Sequence, residues 1–398
     1  MAGHRAVIAR RLRLSIEAEL STSPPVTIVG AGIVGISCGL ELQRRGFEVT
    51  LLDRREPGSE TSSGNAGILS YSNVTPLAAP EILRRSLRLL LNQETDFRLH
   101  YPHLLSLMPW MMRFIARCRR AIYLHDGHAM SDLTLPSIDL HRRWIAEAGV
   151  EQLVNAGVGG LKLYRNQQTF ARDALERELL ADCGIRHTVM SADEAYELEP
   201  SLQKVFTRAV LVEDSISIRN PQKLCRAYAD LFRQAGGKFR IAQVRRIRPA
   251  NAPVTGNASW TLTTEQGEET TERLLLCLGA WTPRLLTPLG YRNPLAIERG
   301  YHTVFAPQQG HSLSRPIFDC DASYVMAPME MGLRVSTGTN LVRGEVRPDP
   351  VQLDQVIPRV REAFPVAEIV LEQPWMGRRP TVPDTLPLIG PSVKPICE

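Results

Sequence analysis

The sequence predicts an α/β protein, α+β overall, with one domain of parallel β-α-β units assembled from discontinuous segments and a second domain built on a mixed sheet. Its length of 398 residues exceeds what a single hydrophobic core usually supports, which favours two domains. Close to the N-terminus, a β-branched run leads directly into a glycine-rich turn and a helical pattern. A second helix-then-strand pattern follows in the middle of the chain. The domain that carries these units is therefore expected to be interrupted by the other one.

Composition narrows the class of protein. Hydrophobic residues make up 43% and charged residues 22% of the chain, which is typical of a folded globular protein. The net charge of +5 is small for this length, and acidic residues are interleaved with the basic ones, so nucleic-acid binding is not indicated. The seven cysteines include no CxxC pair and no His cluster at metal-ligand spacing. We expect a reduced, cytoplasmic protein without a metal site.

The first 23 residues carry arginines but lack a sustained apolar core, so they do not indicate a secretory signal. Glu17 and Glu19 weaken the alternative interpretation as a transit peptide. We expect residues 1–23 to form a flexible extension. The sequence contains no run of about 18 apolar residues, the usual minimum for a spanning helix.

The stretch "VTIVGAGIVG" near the N-terminus has the order strand, tight turn and helix start. Gly30 permits the turn, Gly32 lets the backbone approach a pyrophosphate, and Gly35 lets the helix pack on the strand. The helical pattern "IVGISCGLELQRRG" stops at Gly46, and a second strand, "EVTLLD", ends at Asp53. A carboxylate at that place suits ribose hydroxyls and disfavours a 2′-phosphate. Together these features predict a Rossmann-like dinucleotide-binding unit.

The polar segment after Asp53 distinguishes between NAD and FAD. It is "RREPGSETSSGNAGILS", which is too polar and too turn-prone for the next strand of an NAD-binding fold. Its backbone N–H groups and short polar side chains can serve a phosphate or the edge of a flavin ring. A solvated surface turn is the alternative for this loop taken by itself. Together with the preceding unit, the loop favours FAD.

Later segments extend this domain. The helix pattern "PQKLCRAYADLFRQAGG" and the strand "KFRIAQVRRI" supply another αβ step. The polar, strand-like stretch "SWTLTTEQGEETTERLLLCLG" has a turn signal at Gly267. The predicted division is a cofactor domain of residues 24–75, 215–287 and 375–398 and a substrate domain of residues 76–214 and 288–374.

Six stretches, taken in order, resemble one family. They are "VTIVGAGIVG", "LLDRRE", "TSSGNAG", "LLLCLGAW", "ERGYH" and "GRRPTVPDTLPLIGPS". They are similar to the D-amino-acid oxidase superfamily of FAD enzymes, most of all its bacterial D-amino-acid dehydrogenase branch, beside glycine and sarcosine oxidases. The resemblance covers roughly residues 26 to 392. It is specific for FAD and for amine oxidation, and it is unspecific for the substrate.

The resemblance implies a set of residues that contact FAD. For Trp281, a place in the core is the alternative. No Cys or His matches the family's covalent flavin links, so noncovalent FAD is implied. The residues carried over are Gly30, Ala31, Gly32, Ile33, Val34, Gly35, Asp53, Arg54, Ser62, Ser63, Asn65, Ala66, Gly67, Gly279, Ala280, Trp281 and Gly390.

The resemblance also implies a substrate-binding arginine, Arg379 in "GRRP", because a planar guanidinium can hold an amino-acid carboxylate bidentately. Arg378 precedes it directly, and which of the two points inward stays open. Hydride transfer from Cα to flavin N5 needs orientation and no side-chain nucleophile. Tyr301, His302 and Tyr324 are expected to line the substrate pocket, with half-buried strand positions as the alternative.

The implied reaction is oxidation of a D-amino acid to an imino acid, which water hydrolyses to a 2-oxo acid and ammonia. The alternative within enzymes is an oxidase of a secondary amine such as sarcosine, or of glycine or proline. Quinone or O2 would accept the electrons. A nicotinamide dehydrogenase is a third interpretation, and the inserted "TSSGNAG" loop disfavours it.

The sequence ends at "LPLIGPSVKPICE", whereas the resemblance implies a further strand, a loop and a final helix whose N-terminus points at the flavin ring. Such a helix end stabilises negative charge on the reduced flavin. The sequence is therefore expected to be truncated at its C-terminus. A non-catalytic family member that keeps the fold is an alternative on this ground.

One apolar stretch allows two interpretations. "LLSLMPWMMRFIARCRRAIYL", Leu104 to Leu124, carries arginines on a helical period. We expect it to pack in the core of the substrate domain. The alternative is contact with an anionic membrane surface, which would place the cytoplasmic protein at the periphery of the inner membrane and suit a quinone acceptor.

Overall fold

A computed structural model describes residues 25–155, 157, 159–250, 259–292, 294–344 and 346–390. The flexible extension expected at residues 1–23 and the end of the predicted cofactor domain at 391–398 lie outside the described residues. The chain divides into two compact units. The described part of unit 1 is residues 25–58, 228–250 and 259–291, and that of unit 2 is residues 59–155, 157, 159–227, 292, 294–344 and 346–390.

Strands and helices are numbered in chain order over the described residues. The strands are β1 (Val26–Val29), β2 (Val49–Asp53), β3 (Ile68–Leu69), β4 (Phe97–Leu99), β5 (Gly160–Tyr164), β6 (His187–Ser191), β7 (Arg208–Val212), β8 (Ile216–Ser217), β9 (Lys238–Ile241), β10 (Arg246–Pro249), β11 (Trp260–Thr264), β12 (Gly267–Thr271), β13 (Arg273–Leu276), β14 (Ala296–Pro307), β15 (Ile317–Asp319), β16 (Tyr324–Met329), β17 (Gly332–Thr337), β18 (Thr339–Val342), β19 (Val366–Ile369) and β20 (Trp375–Thr381). The helices are α1 (Ile33–Arg44), α2 (Glu81–Leu90), α3 (Leu104–Arg117), α4 (Arg120–Glu147), α5 (Gln167–Arg172), α6 (Ala174–Asp182), α7 (Ala192–Leu198), α8 (Pro221–Gln234), α9 (Thr282–Leu286) and α10 (Val351–Ala363).

Unit 1 contains a four-stranded parallel sheet in the order β13-β1-β2-β9. Strands of parallel sheets are buried on both faces, which explains the continuous apolar runs of β1 and β2. Ile28 and Leu52, for example, have no exposed surface. The predicted strand, helix and strand of the glycine-rich unit are confirmed. Gly46, with φ +85°, follows the end of α1 as expected.

A three-stranded antiparallel sheet, β10-β11-β12, completes unit 1. Its turn at Gly267, which has φ +122°, is confirmed. The prediction of one strand over "KFRIAQVRRI" was wrong, because the chain changes sheets there. Ala242 N–H still donates to the Asp53 carbonyl beside β2, whereas Arg245 N–H donates to the Thr263 carbonyl of the antiparallel sheet. Between them, Gln243 N–H donates to a side-chain carboxylate, that of Glu265, at 2.9 Å.

Unit 2 is built on the predicted mixed sheet, which has eleven strands. Strand β14 lies at its centre and pairs with β17, β18, β19 and β20. Most pairs are antiparallel, but β4 with β18 and β5 with β15 are parallel. One face carries the largest apolar cluster, to which β5, β14, β16, β17 and α10 contribute. The other face of β14 carries the polar groups described below.

The apolar stretch predicted as one helix forms two. Helix α3 ends at Arg117, Cys118 has a non-helical ψ of 55°, and Arg119 is extended before α4 begins. Leu107 and Trp110 of α3 pack in a core cluster, as expected. Other apolar side chains of α3 are exposed. Among the described residues, no helix combines the length and the apolar character that crossing a membrane requires.

The contact-based units and the predicted domains follow different boundaries. Residues 59–75, 215–227 and 375–390 belong to unit 2, whereas the sequence division gave them to the cofactor domain. Units are defined by contacts within the chain, and the predicted domains by the ligand that each segment would touch. The predicted domain boundaries therefore stay a prediction.

Candidate active site

The glycine turn, residues 30–35, joins β1 to α1 in unit 1. Gly30 has φ +111°, and a Cβ there would lie 2.4 Å from the carbonyl oxygen of Cys277. A Cβ on Gly35 would lie 1.8 Å from the carbonyl oxygen of Gly30. Gly32 is the N-cap of α1 and has no side chain that could cap the helix, so the N-terminus of α1 is suited to an anionic group. Glycines are therefore required at Gly30 and Gly35 for steric reasons inside the protein itself.

Asp53 closes the glycine turn from the end of β2. Its Oδ2 accepts a hydrogen bond from Ala31 N–H at 2.7 Å, and its Oδ1 accepts one from Arg55 N–H at 3.0 Å. The sequence suggested a ribose contact and gave no indication of this structural role. Each carboxylate oxygen has a second lone pair, so both roles are compatible.

Arg54 and Trp281 come together in unit 1 although they are far apart in sequence. The guanidinium carbon of Arg54 lies 4.6 Å from the centroid of the Trp281 ring, a cation–π contact. Trp281 ends the short turn Gly279–Trp281, which follows β13. Because β13 pairs in parallel with β1, this turn lies at the same carboxyl edge of the sheet as the glycine turn, where open α/β sheets bind ligands.

The polar loop, residues 61–67, belongs to unit 2 and is held in shape by its own side chains. Asn65 Nδ2 donates to the Ser62 carbonyl at 2.8 Å, and Asn65 Oδ1 accepts from Gly67 N–H at 2.7 Å. Gly67 has φ +65°, and a Cβ there would lie 2.3 Å from the carbonyl oxygen of Ile218. The sequence predicted a turn-prone loop, and these bonds explain the pattern "SGNAG".

The polar loop is fastened to one face of β14 and its neighbours. His302 Nδ1 lies 2.9 Å from the Gly64 carbonyl oxygen, and Arg334 Nη1 donates to the Asn65 carbonyl at 2.6 Å. The rings of His302 and Trp375 stack with centroids 4.7 Å apart. A Cβ on Gly64 would lie 2.3 Å from the indole of Trp375, so the loop approaches as closely as glycine permits.

Two buried basic side chains, His302 and Arg334, have lowered pKa values. Burial, with the Arg334 charge as a second cause, lowers the pKa of His302 from 6.5 to about 3. His302 is therefore neutral at pH 7, and its Nδ1 carries the proton because a carbonyl oxygen only accepts. Burial lowers the pKa of Arg334 from 12.5 to about 10. The Nε of Arg334 has no hydrogen-bond partner within the described part of the chain.

Arg379 lies on the same face as His302. Strand alternation puts Glu298, Gly300 and His302 on one side of β14, and Arg379 of β20 pairs with Glu298. The guanidinium extends over Gly300, where a Cβ would lie 2.3 Å from Nη2. We call this side, with Arg334 and Trp375, the Arg379 face. Arg378 pairs with Arg299 and points to the opposite face.

The Arg379 guanidinium has the properties of an anion-binding group. The residue is solvent-exposed, yet surrounding protein lowers its pKa by desolvation, while the charge of Glu298 acts in the opposite direction. Among the described residues, none forms a hydrogen bond or an ion pair with Arg379. A carboxylate could therefore accept two parallel N–H bonds from one edge of the guanidinium.

Tyr301 and Tyr324 lie on the other face of the sheet, in the large apolar cluster. Tyr301 Oη accepts from Asp349 N–H at 2.8 Å, and Tyr324 Oη donates to the Arg359 carbonyl at 3.3 Å. Burial raises the pKa of Tyr301 and Tyr324. The structure therefore brings Arg379 and His302 together but separates both tyrosines from them.

Gly390, the last described residue, is exposed, and no described atom lies within 4 Å of a Cβ built on it. Sequence reasoning missed Gly64, Gly300, Arg334 and Trp375. The one local signal for Arg334 is a charged residue inside the apolar strand pattern "GLRVST". The other three are identified only by the pairing of β14 with β20 and by the approach of the loop.

Comparison with known proteins identifies the family. Residues 25–396 match the family described as DAO, FAD dependent oxidoreductase. A D-amino-acid oxidase of Bradyrhizobium diazoefficiens is 30% identical over 378 residues, which cover 92% of this chain and 86% of that protein. A D-amino acid dehydrogenase of Allorhizobium ampelinum is 27% identical over 391 residues, with the same two coverages.

Solved structures support the fold. Glycine oxidase from Geobacillus kaustophilus has a TM-score of 0.66 and 21% identity, covering 94% of this chain and 86% of that one. L-proline dehydrogenase from P. horikoshii has a TM-score of 0.64 and 16% identity, covering 93% and 84%. The family match covers residues 25–396, nearly the whole chain. Together, these findings show that the chain belongs to the DAO family of FAD-dependent oxidoreductases.

Proposed function

We propose that the chain oxidises a D-amino acid at its α-carbon, giving an imino acid that water hydrolyses to a 2-oxo acid and ammonia. Relatives named D-amino-acid oxidase and D-amino acid dehydrogenase support this substrate class. The main structural support is the position of Arg379. Its exposed guanidinium lies over Gly300 and has no hydrogen-bond or ion-pair partner among the described residues. A bidentate contact with the substrate carboxylate would fix which face of Cα is presented for reaction.

The described residues fit FAD. In unit 1, the glycines of the turn leave the backbone open at the start of α1, which suits a pyrophosphate, and Asp53 presents a carboxylate at the end of β2, which suits ribose hydroxyls. In unit 2, the polar loop and the Arg379 face offer donors for the flavin end. Bound FAD supplies the acceptor for the hydride that leaves Cα.

The residues proposed to hold FAD are those that the sequence indicated in each unit. Trp281 and Arg54 extend the unit 1 part, and Ser62, Ser63, Asn65, Ala66 and Gly67 form the unit 2 part. FAD is held without a covalent link in this proposal. His302 supports that, since its Nδ1 is engaged by Gly64 and its ring by Trp375. Acid precipitation should release all of the flavin into the supernatant, and a coloured pellet would contradict noncovalent binding.

The amine must lose a proton before hydride transfer, and His302 is not suited to take it. A pKa of about 3 makes His302 a poor base at neutral pH, so its role is to position the polar loop. We assign the proton to water. The rate should then follow the ionisation of the substrate amine, rising with pH toward the pKa of that amine.

The electron acceptor is proposed to be quinone or O2. The two kinds of relative, a D-amino-acid oxidase and a D-amino acid dehydrogenase, correspond to these two cases. A quinone is dissolved in the membrane, so a quinone-linked enzyme would be a cytoplasmic protein in peripheral contact with the inner membrane. Hydrogen peroxide formed in air, against reduction of a soluble quinone without oxygen, distinguishes the two.

An anaerobic visible spectrum tests the proposal. Purified protein saturated with FAD is mixed in turn with a D-amino acid, its L-enantiomer, glycine, sarcosine and proline. We expect the flavin absorbance to bleach with D-amino acids and to persist with their L-enantiomers. If only glycine, sarcosine or proline bleaches the flavin, that amine and not a D-amino acid is the substrate. If no amine reduces the flavin, the proposed function is wrong.

Variants of Arg379 test whether this side chain binds the substrate carboxylate. Arg379→Gln should raise KM for the D-amino acid by about 100-fold or more, because the substrate carboxylate loses its charged partner. Arg379→Lys should recover part of this loss, since an ammonium keeps the charge but not the planar fork. The matched control is Arg378→Gln, which changes the neighbouring arginine on the opposite face. Equal effects of Arg378→Gln and Arg379→Gln would show that the wrong arginine is assigned.

A further inference from the structure

Helices α2 and α3 of unit 2 each present an apolar stripe to solvent. On α2 and the residue after it, the exposed side chains follow positions 83, 87, 90 and 91, and from Tyr101 through α3 they follow positions 101, 105, 108, 112 and 115. Both series have helical spacing, so each forms one side of its helix. We call their union the leucine–methionine face, and its members are Leu83, Leu87, Leu90, Leu91, Tyr101, Leu105, Met108, Met112 and Ile115.

The two stripes adjoin one another. Tyr101 Oη donates to the Leu90 carbonyl at 2.9 Å, which joins the start of the second stripe to the end of the first. Asn92 reinforces the junction, because its side chain bonds both the N–H and the carbonyl of Leu99. The face is therefore one surface of unit 2 and not two separate patches.

The apolar side chains on the outer side of α3 are exposed although the helix is well packed against the rest of unit 2. Helix α3 buries Leu107 and Trp110 on its inner side, at 1% and 8% exposure, in a cluster with β4, β14 and β18. On its outer side Leu105 is 88% and Met112 is 66% exposed. A surface helix normally carries polar residues there, and an extended apolar patch marks an interaction surface.

Arginines give this surface a charge. Between residues 81 and 120 the chain has eight arginines and three acidic residues, Glu81, Glu94 and Asp96, an excess of five positive charges that equals the net charge of the entire chain. Arg85 is paired with Glu94 and Asp96 and lies partly buried. Arg84, Arg88 and Arg120 are exposed but form ion pairs with Glu81, Glu94 and Glu178. Among the described residues, Arg113 and Arg119 are the exposed arginines of this stretch without an acidic partner.

We infer that the leucine–methionine face docks on the surface of an anionic lipid bilayer, with its leucines and methionines at the level of the acyl chains and its arginines on the lipid phosphates. Apolar side chains beside several cationic ones are the features that bind helices in the plane of such an interface. Helix α3 has 14 residues, short of the about 20 that span a bilayer, so it lies along the surface.

A second copy of the chain fits this face less well. Self-association would bring two sets of exposed arginines together, and like charges at an interface oppose binding. Anionic lipid neutralises the same arginines. The inference assigns the proposed membrane contact to the leucine–methionine face. It rests on the proposed membrane contact and not on the proposed amine oxidation. Lipid binding is measured without turnover, so its failure and a failure of amine oxidation are distinguishable.

Vesicle flotation with the full chain tests the inference. The probes are vesicles of phosphatidylcholine alone and vesicles of equal parts of phosphatidylcholine and phosphatidylglycerol. We expect binding to the second kind, reduced but not abolished by high salt, because salt screens the arginines and leaves the apolar contact. Absence of binding to the anionic vesicles would overturn the inference, and so would equal binding to both kinds.

Two double variants locate the surface. Leu105→Ser with Met112→Ser should weaken partitioning into anionic vesicles by at least about tenfold, because both side chains leave water on docking. Arg113→Gln with Arg119→Gln should weaken it by about tenfold and reduce its salt dependence. The controls make the same changes elsewhere on the surface: Val189→Ser with Val370→Ser, and Arg45→Gln with Arg226→Gln.

The controls should bind vesicles like the unaltered protein, and all variants should unfold at the same temperature as it does. Equal losses in the variants and the controls would overturn the assignment to this face. A concentration-dependent dimer that Leu105→Ser with Met112→Ser abolishes, in a protein that ignores vesicles, would replace lipid by a second copy of the chain.

Discussion

The glycine turn of unit 1 and the Arg379 face of unit 2 are built in different ways. The glycine turn is one continuous stretch of chain, and its contacts are backbone against backbone, as between Gly35 and the Gly30 carbonyl. The Arg379 face draws on β14, β17 and β20, and it fastens a loop by hydrogen bonds and ring stacking. The first is specified by short-range sequence, and the second by the register of distant strands.

This difference determines how each region should respond to mutation. Backbone contacts have no side chain that can move away, so a change in the glycine turn should act on the whole unit. The hydrogen bonds of the Arg379 face are separate interactions between side chains and loop carbonyls. Removing them one at a time should give graded effects.

The largest expected effect is that of Gly35→Ala. The new Cβ would lie 1.8 Å from the Gly30 carbonyl oxygen, so β1 and α1 must separate. We expect a loss of about 3 kcal/mol or more in the free energy of unfolding, at or beyond the usual range for overpacking. The variant should retain no FAD. The ratio of flavin to protein absorbance and the urea midpoint measure both effects.

The matched control is Gly46→Ala, at the other end of α1. Gly46 has φ +85°, but no atom of the described part of the chain lies within 4 Å of a Cβ there. Only the strain of the left-handed conformation remains, about 1–2 kcal/mol. Equal effects of the two changes would mean that conformation, and not close packing, explains the glycine turn.

The next effect is that of Arg334→Lys in the Arg379 face. A lysine ammonium has a shorter reach and no planar fork, so the Asn65 and Ser63 carbonyls lose the donor that Arg334 provides. Losing these two partly buried hydrogen bonds should cost about 1–3 kcal/mol. Urea unfolding measures the loss, and titration of the apoprotein with FAD measures any change in flavin affinity.

Arg343→Lys is the control for this prediction. Arg343 Nη1 also donates to a backbone carbonyl at 2.6 Å, that of Ser106, but the side chain is exposed. Water can replace its bond, so we expect a change of less than about 0.5 kcal/mol. A loss at Arg343 as large as that at Arg334 would contradict the importance of burial.

The same contrast explains what the sequence could predict. Strand β1, helix α1 and strand β2, which surround the glycine turn, follow from local sequence patterns, and the structure contains them as expected. The position of the side chain of Arg379 depends on the register of β20 with β14, which single-sequence patterns do not contain. Tyr301 is the neighbour of His302 in sequence, but alternation along β14 turns it to the opposite face.

The break in "KFRIAQVRRI" has a similar cause. The β-branched and aromatic pattern favours one strand, but the Asp53 carbonyl holds Ala242 in one sheet and the Thr263 carbonyl holds Arg245 in another. Such partners come from distant segments. Local propensity therefore predicts that a strand exists and does not predict which sheet it joins.

A third prediction uses the pKa of His302, which falls from 6.5 in the unfolded chain to about 3 in the folded one. Above pH 6.5 both states are neutral, and this group adds no pH dependence. Between pH 6.5 and 3 the unfolded state binds the extra proton, so stability falls as the pH falls, by about 1.4 kcal/mol per unit. Urea unfolding at pH 7 and pH 5 should therefore show a loss of about 2 kcal/mol from His302.

In His302→Asn, the free energy of unfolding should fall by about 2 kcal/mol less between pH 7 and pH 5 than in the unaltered protein. This difference does not depend on how much the substitution destabilises the protein at pH 7. His141, whose pKa burial lowers to about 4, contributes equally to both proteins and cancels. His187→Asn is the control, because its Nδ1 also lies 3.0 Å from a carbonyl oxygen but the residue is only partly buried. An unchanged pH dependence in His302→Asn would mean that the ring becomes protonated in the folded state.

The smallest expected effect is that of Thr61→Val, which keeps the shape of the side chain and removes one hydrogen bond. Thr61 Oγ1 donates to the Arg378 carbonyl of β20 at 3.0 Å, at the edge of the polar loop. We expect a loss of about 1 kcal/mol. Amide hydrogen exchange in residues 61–67 should accelerate by a matching factor of about five, while exchange in the glycine turn stays unchanged.

Ser63→Ala is the control within the same loop, because the hydroxyl of Ser63 bonds the Glu60 carbonyl and no strand. If attachment to β20 is what orders the loop, Thr61→Val accelerates exchange in all of residues 61–67 and Ser63→Ala changes it only near residue 63. If both variants act alike, the Thr61 bond does not order the loop, and the hydrogen bonds of His302 and Arg334 hold it together with the close contact of Gly64 with Trp375.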